Sequence, residues 1–144
     1  MAQTPILAKP TSSPSAEIDL TNLSNEFVEI NARISYANQL LADAEEFLEH
    51  AEAELTLVEA QAFLRHRESL KASGEKVTEK LLEALVVTDP QRIQAMGAAL
   101  AARANKQRCR REVDSFVKKS EILVSLGAHI RAEMNLDPTL RTKR

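Results

Sequence analysis

Apolar residues recur through the first half of the chain at spacings that alternate between four and three. The positions are Leu23, Phe27, Ile30, Ile34, Ala37, Leu41, Ala44, Leu48, Ala51, Leu55, Val58 and Ala62, and every one of the twelve is apolar. An average repeat of 3.5 residues marks a heptad seam, the pattern of a helix that supercoils against a partner. It predicts one helix over residues 23–72, about 75 Å long at 1.5 Å per residue. Asp19, Asn22 and Ser24 are its candidate caps. Leu40, Phe47, Leu57 and Phe63 lie beside the seam and widen the apolar stripe. A stripe of that width calls for more than one neighbouring helix.

The pattern then breaks at "ASGEK", where Gly74 is placed to close the helix as its first residue beyond the cap. A short helix follows in "VTEKLLEALVV". Thr78 is its expected N-cap, and Val77 with Leu82 has the spacing of a hydrophobic staple. Asp89 and Pro90 restart the chain as N-cap and first helical residue of a return helix over residues 90–134. At 100° per residue, Ala95, Ala98, Ala102, Cys109, Val113, Phe116, Leu123, Ile130 and Met134 share one broad side of it. No strand pattern and no repeat of 20 to 50 residues occurs. The expected fold is all-α: a long coiled-coil-like helix, a short helix at the turn and a long return helix, a helical hairpin that is oligomeric. Residues 18–135 form the helical domain, between a disordered leader (1–17) rich in Pro, Ser and Thr and a basic, flexible tail (136–144).

Charge sharpens this picture. The net charge is only −2, but residues 1–90 carry seven bases and sixteen acids, whereas residues 91–144 carry twelve bases and five acids. Antiparallel folding would lay the acidic first helix along the basic return helix. Such halves can also pair between copies or attract an outside polyanion. Only 3% of residues are aromatic and Trp is absent, so the chain can bury a long seam more readily than a thick centre. The single Cys109 excludes an internal disulfide and fits a reducing compartment, the cytoplasm. No run approaches the roughly 18 apolar residues of a membrane span, and the N-terminus lacks a signal-peptide pattern.

Catalytic signals are weak, and an enzyme is not expected. Gly74, Gly97 and Gly127 are too dispersed for a phosphate-cradling loop. The residues three before His50, His66 and His129 are Phe47, Phe63 and Leu126, so no Glu-x-x-His metal pair exists. Glu46, Glu49 and His50 read as a solvated acidic face. Cys109 has Arg neighbours that would favour a thiolate if it were exposed, but its helical phase places it on the apolar side. Neither a cofactor nor a metal is called for.

The remaining signal is basic. Arg65, His66, Arg67 and Lys71 end a helix that up to Glu59 holds a single base, Arg33. Cations in a last turn complement the helix dipole, which accounts for one or two of them. It accounts less well for Lys76 and Lys80, or for the basic side of the return helix with Arg103, Lys106, Arg110 and Arg111. Two readings stay open: a surface that pairs with the protein's own acids, or a polyanion site in which Arg65, Arg67, Lys71, Lys76, Arg103, Lys106, Arg110 and Arg111 are the expected DNA contacts. With few exposed aromatics, a nucleic acid would be held through phosphate, with little sequence preference and steep salt dependence.

The order of these segments resembles a known family. "ISYANQLLADAEEFLEHAEAEL", "LRHRESLK", "GEKVTEKLLEALVVTDP" and "LVSLGAHIRAEM" follow one another as in the UvsY-type recombination mediators of tailed bacteriophages, over residues 18–134. The resemblance is one of pattern and order, without a catalytic fingerprint. It implies an all-helical homo-oligomer, a ring, that binds single-stranded DNA and helps load a RecA-class recombinase onto strands coated by single-strand-binding protein. On the matching positions it implicates Arg65 and Arg67 in DNA binding, with Lys71 and Lys76 beside them. The alternative is a structural coiled-coil adaptor or assembly chaperone whose bases pair with the acidic helix.

Overall fold

The computed structural model describes residues 18–136; the expected leader, and the tail from residue 137 on, lie outside the described residues. Among the described residues there are three helices and no strands: α1 (Leu23–Ser73), α2 (Glu79–Val87) and α3 (Pro90–Leu136). The helix boundaries follow local chemistry. Asn22 accepts the first amides of α1 on its carbonyl, and Thr78 caps α2 with its hydroxyl. At the end of α1, Gly74 adopts φ +74°. Its amide donates to the Lys71 carbonyl, and the Glu75 amide donates to that of Leu70. These two bonds form a Schellman motif, which needs a left-handed residue that only Gly supplies without strain.

The helices form two compact units, one of described residues 18–40 and 110–136, the other Leu41–Cys109. In the first, Ile30 and Ala37 of α1 pack with Phe116 and Leu123 of α3, and Ile18, Leu23, Ile34 and Val113 lie against them. Gly127 gives Phe27 room: a Cβ added there would lie 3.1 Å from Phe27 Cζ. In the second unit the buried apolar residues are Ala44, Leu48, Ala62 and Leu70 of α1, Leu82 of α2, and Ala99 and Ala102 of α3. Four of these seven are Ala, so the helices there meet over a thin layer of apolar side chains. Burying a Leu or Phe is worth about 1.5–3 kcal/mol, and an Ala methyl much less.

The α1 seam is almost wholly covered. Eleven of its twelve positions are buried or half-buried, with Phe27 the more open exception. Of the flanking apolar residues only Leu40 is half-buried. Phe47 is 62% and Leu57 52% exposed. Seven of the nine residues on the expected apolar side of α3 are buried or half-buried; Ala98 and Met134 are exposed, whereas Ala99 and Lys119, which the pattern did not include, are buried. One row of covered positions along α3 runs Ala99, Ala102, Lys106, Cys109, Val113, Phe116, Ser120, Leu123, Gly127 and Ile130. This is again an alternation of three and four, in which Lys106, Ser120 and Gly127 stand in place of large apolar residues.

Lys119 is buried with its amine 2.8 Å from Glu26 Oε2, and the two side chains are 4% and 15% exposed. Glu26 also accepts the Asp19 amide, which ties the segment before α1 to the helix. The Lys119 hydrogen bond is the main reason the Glu26 carboxyl is held below the ordinary Glu value; burial opposes it, and the Asp19 amide and the nearby charges of Lys119 and Arg33 add to it.

Two outcomes follow for stability. Leu123→Ala, at a fully buried position, should destabilise the fold by about 2–5 kcal/mol, whereas Val124→Ala next to it, largely exposed, should change little; chemical denaturation of both variants checks this. Because the folded-state pKa of Glu26 lies below its unfolded one, its pairing stabilises the protein above the ordinary Glu range. That contribution is lost as pH falls through the depressed value. Glu26→Gln should therefore flatten the acid side of a thermal-stability-against-pH curve, and parallel curves for the two proteins would contradict the assignment.

Candidate nucleic-acid interface

In the second unit, α1 and α3 run antiparallel, and a ladder of ion pairs sets their register. Glu45 pairs with Lys106 at 3.2 Å, Glu52 with Arg103 at 2.7 Å and Glu59 with Arg92 at 2.8 Å. The three acids are seven residues apart, each one position after a seam residue (Ala44, Ala51, Val58), where flanking charges of a coiled coil choose the partner and its orientation. The acidic first helix and the basic return helix thus meet within one chain. Arg103 and Lys106, two of the expected DNA contacts, are engaged by α1 carboxylates.

Asp89 is the node where α1, α3 and the turn meet. It is 6% exposed. Its Oδ1 caps α3, accepting the amides of Gln91 at 3.0 Å and Arg92 at 3.4 Å. Its Oδ2 accepts Arg65 Nη2 and His66 Nε2, both at 2.9 Å. A carboxylate only accepts, so His66 carries its hydrogen on Nε2 in this contact. Arg65 Nη1 in turn donates to Gln91 Oε1 at 2.6 Å. Burial pushes the Asp89 carboxyl up, but the hydrogen bonds from His66, the two amides and Arg65 outweigh it and hold the group below the ordinary Asp value.

Arg65 and Arg67 therefore do different things. Residues two apart on a helix do not share a face: Arg65 reaches α3, while Arg67 is exposed and makes no ion pair with a described residue. Lys71 lies four residues on, on the side of Arg67, and is exposed and unpaired in the same sense, as are Lys76 and Lys80 around the α1–α2 turn. Glu68, Glu75, Glu79 and Glu83 stand in the same stretch, also exposed and without an ion pair. The local field is mixed, and a polyanion would be held by individual contacts more than by net charge. Arg110 and Arg111 of α3 are exposed and unpaired as well.

The sequence pattern marks Asp89 as a helix cap and His66 as one of the bases that end α1, without joining the two. Asp89 accepts from both Arg65 and His66, which lie 24 and 23 positions before it. No local spacing could signal it, because it depends on how α2 returns the chain.

Other candidate chemistry is not assembled. Among the described residues no group of three or more His, Cys, Asp or Glu is placed to hold a metal ion, and no helix is long and apolar enough to cross a membrane. Cys109 is half-buried in the α3 seam. His50 lies 3.8 Å from Glu46, with both side chains in solvent.

No family model, no curated protein and no solved structure matches this chain.

Proposed function

We propose that this protein binds single-stranded DNA through phosphate contacts and acts, without catalysis, as a recombination mediator. In this role it promotes the loading of a RecA-class recombinase in place of single-strand-binding protein. The observation that carries the reading is the sorting of bases in the second unit. Arg92, Arg103 and Lys106 of α3 are engaged by α1 acids, whereas Arg67, Lys71 and Lys76 remain exposed and unpaired where the resemblance to UvsY-type mediators puts DNA contacts. Three or four phosphate contacts per chain make a weak site, and several copies in a ring would multiply it. The uncovered Phe47, Leu57, Ile93 and Leu100 supply apolar surface for such assembly. Arg110 and Arg111 are further contacts in this reading.

The ion-pair ladder favours a second reading, a structural coiled-coil adaptor in which the bases serve the hairpin alone. Fluorescence anisotropy with a labelled oligothymidylate separates the two. The mediator reading expects binding that weakens steeply with salt, by a log–log slope of about −0.7 per phosphate neutralised on a single strand. Replacing Arg67 and Lys71 together with Ala should lower the affinity at low salt and make that slope shallower by about 1.4, with helicity and mass in solution unchanged. Absence of binding by the native protein at low salt would leave the adaptor reading.

A further inference from the structure

Resting on the DNA-binding reading, we infer that Asp89 is a built-in competitor of phosphate for Arg65. Bidentate recognition of a phosphate uses two parallel N–H donors of one guanidinium. In Arg65 both terminal nitrogens are turned to the protein, Nη2 to Asp89 and Nη1 to Gln91. Arg65 is thus held closed by a carboxylate of the same charge sign as the ligand. It joins Arg67 and Lys71 on a strand only by leaving Asp89.

The geometry makes that exchange reversible. When Arg65 departs, Asp89 keeps the Gln91 and Arg92 amides on Oδ1 and His66 on Oδ2. No buried oxygen is left without a donor, so the large cost of an orphaned carboxylate does not arise. The two partners also differ in access: the Arg65 side chain is 47% exposed and that of Asp89 6%. A strand can reach the guanidinium and cannot reach the carboxylate. Ion pairs with one member so open to water are held weakly, whereas a phosphate diester offers the same charge with two oxygens in fork geometry.

The side chain at 89 can be changed without losing the helix cap, because Asn caps as well as Asp. Asp89→Asn removes the charge that holds Arg65 and retains an acceptor for the α3 amides. In anisotropy titrations with labelled oligothymidylate, Asp89→Asn should bind roughly twofold to fivefold more tightly than the native protein, the range expected for release of one exposed ion pair. Its salt slope should be steeper by about 0.7, one additional phosphate. In an Arg65→Ala background the same substitution should bring no such gain, which separates release of Arg65 from a general change of charge. Glu68→Gln, at an exposed and unpaired acid, serves as the charge-matched control.

Gln91→Ala removes the other anchor of Arg65 and leaves the Asp89 carboxylate in place, so it carries the test if Asp89→Asn lowers the unfolding temperature; it too should tighten binding. Equal or weaker binding by the correctly folded variants, or a gain that persists in full without Arg65, overturns the inference while native binding leaves the DNA reading standing. If the native protein and all variants fail to bind at low salt, the DNA reading falls, and the inference with it.

Discussion

Everything in this molecule depends on covering the heptad seam of α1. A helix of 51 residues with one apolar stripe is not stable alone in water, and most helical stability comes from packing that stripe. The cover is α3, which is poor in large apolar residues over its first half. The two conditions are reconciled by Ala. Ala62, Ala99 and Ala102 are buried, and small side chains let backbones approach until dispersion contacts replace bulk. A thin interface specifies its own register weakly, since one Ala fits much like another. The charges beside it supply what the seam lacks: Glu45, Glu52 and Glu59 repeat at seven residues and meet Lys106, Arg103 and Arg92. Exposed pairs of this type contribute only about 0–1 kcal/mol each, so their role is alignment more than strength. A slip by one heptad would leave one of the three acids without its base.

That division of labour explains the charge asymmetry of the chain without recourse to a ligand. It also limits what the asymmetry can say about function, because a base held by an acid of its own chain meets a polyanion only through exchange. In the DNA-binding reading proposed above, the relevant bases are those that the ion-pair ladder leaves unpaired. They collect after residue 65, where α1 has passed its last ladder acid, Glu59, and the Schellman turn takes over. Exposed Arg67, Lys71 and Lys76 are there for no reason that the packing of the second unit supplies.

Much of this architecture was legible in the sequence, for a physical reason. The α1 seam, the Gly74 stop, the Thr78 cap and the Asp89–Pro90 restart are local signals, each written within a few residues. The seam of α3 was harder to read because Lys106, Ser120 and Gly127 occupy covered positions and a search for apolar residues steps over them. The actual spacing of three and four was present, but hydropathy was the wrong probe for it. Gly127 is covered because Phe27 fills the place of its missing side chain, and Lys119 is buried because Glu26 neutralises it. Both facts are pairings between distant residues. The candidate site divides the same way: exposure of Arg67 and Lys71 agrees with the pattern, while the capture of Arg65 by Asp89 and Gln91 is tertiary and had no local trace.

The identity of residue 89 carries information that its role as a cap does not require. Ser, Thr, Asn and Asp all cap a helix N-terminus, and the first turn of α3 would be satisfied by any of them. Among these only Asp also brings a full negative charge, and here that charge is nearly buried, a placement that costs free energy unless several donors meet it. Four do: two amides, His66 and Arg65. Three would suffice to satisfy both oxygens, and Arg65 is the one that stands half in solvent. A fourth donor that is exposed, cationic and dispensable to the carboxylate is poorly explained as a structural brace. In the DNA-binding reading proposed above, it is a group kept in readiness, held close enough to the turn to be positioned and loosely enough to be surrendered to a phosphate.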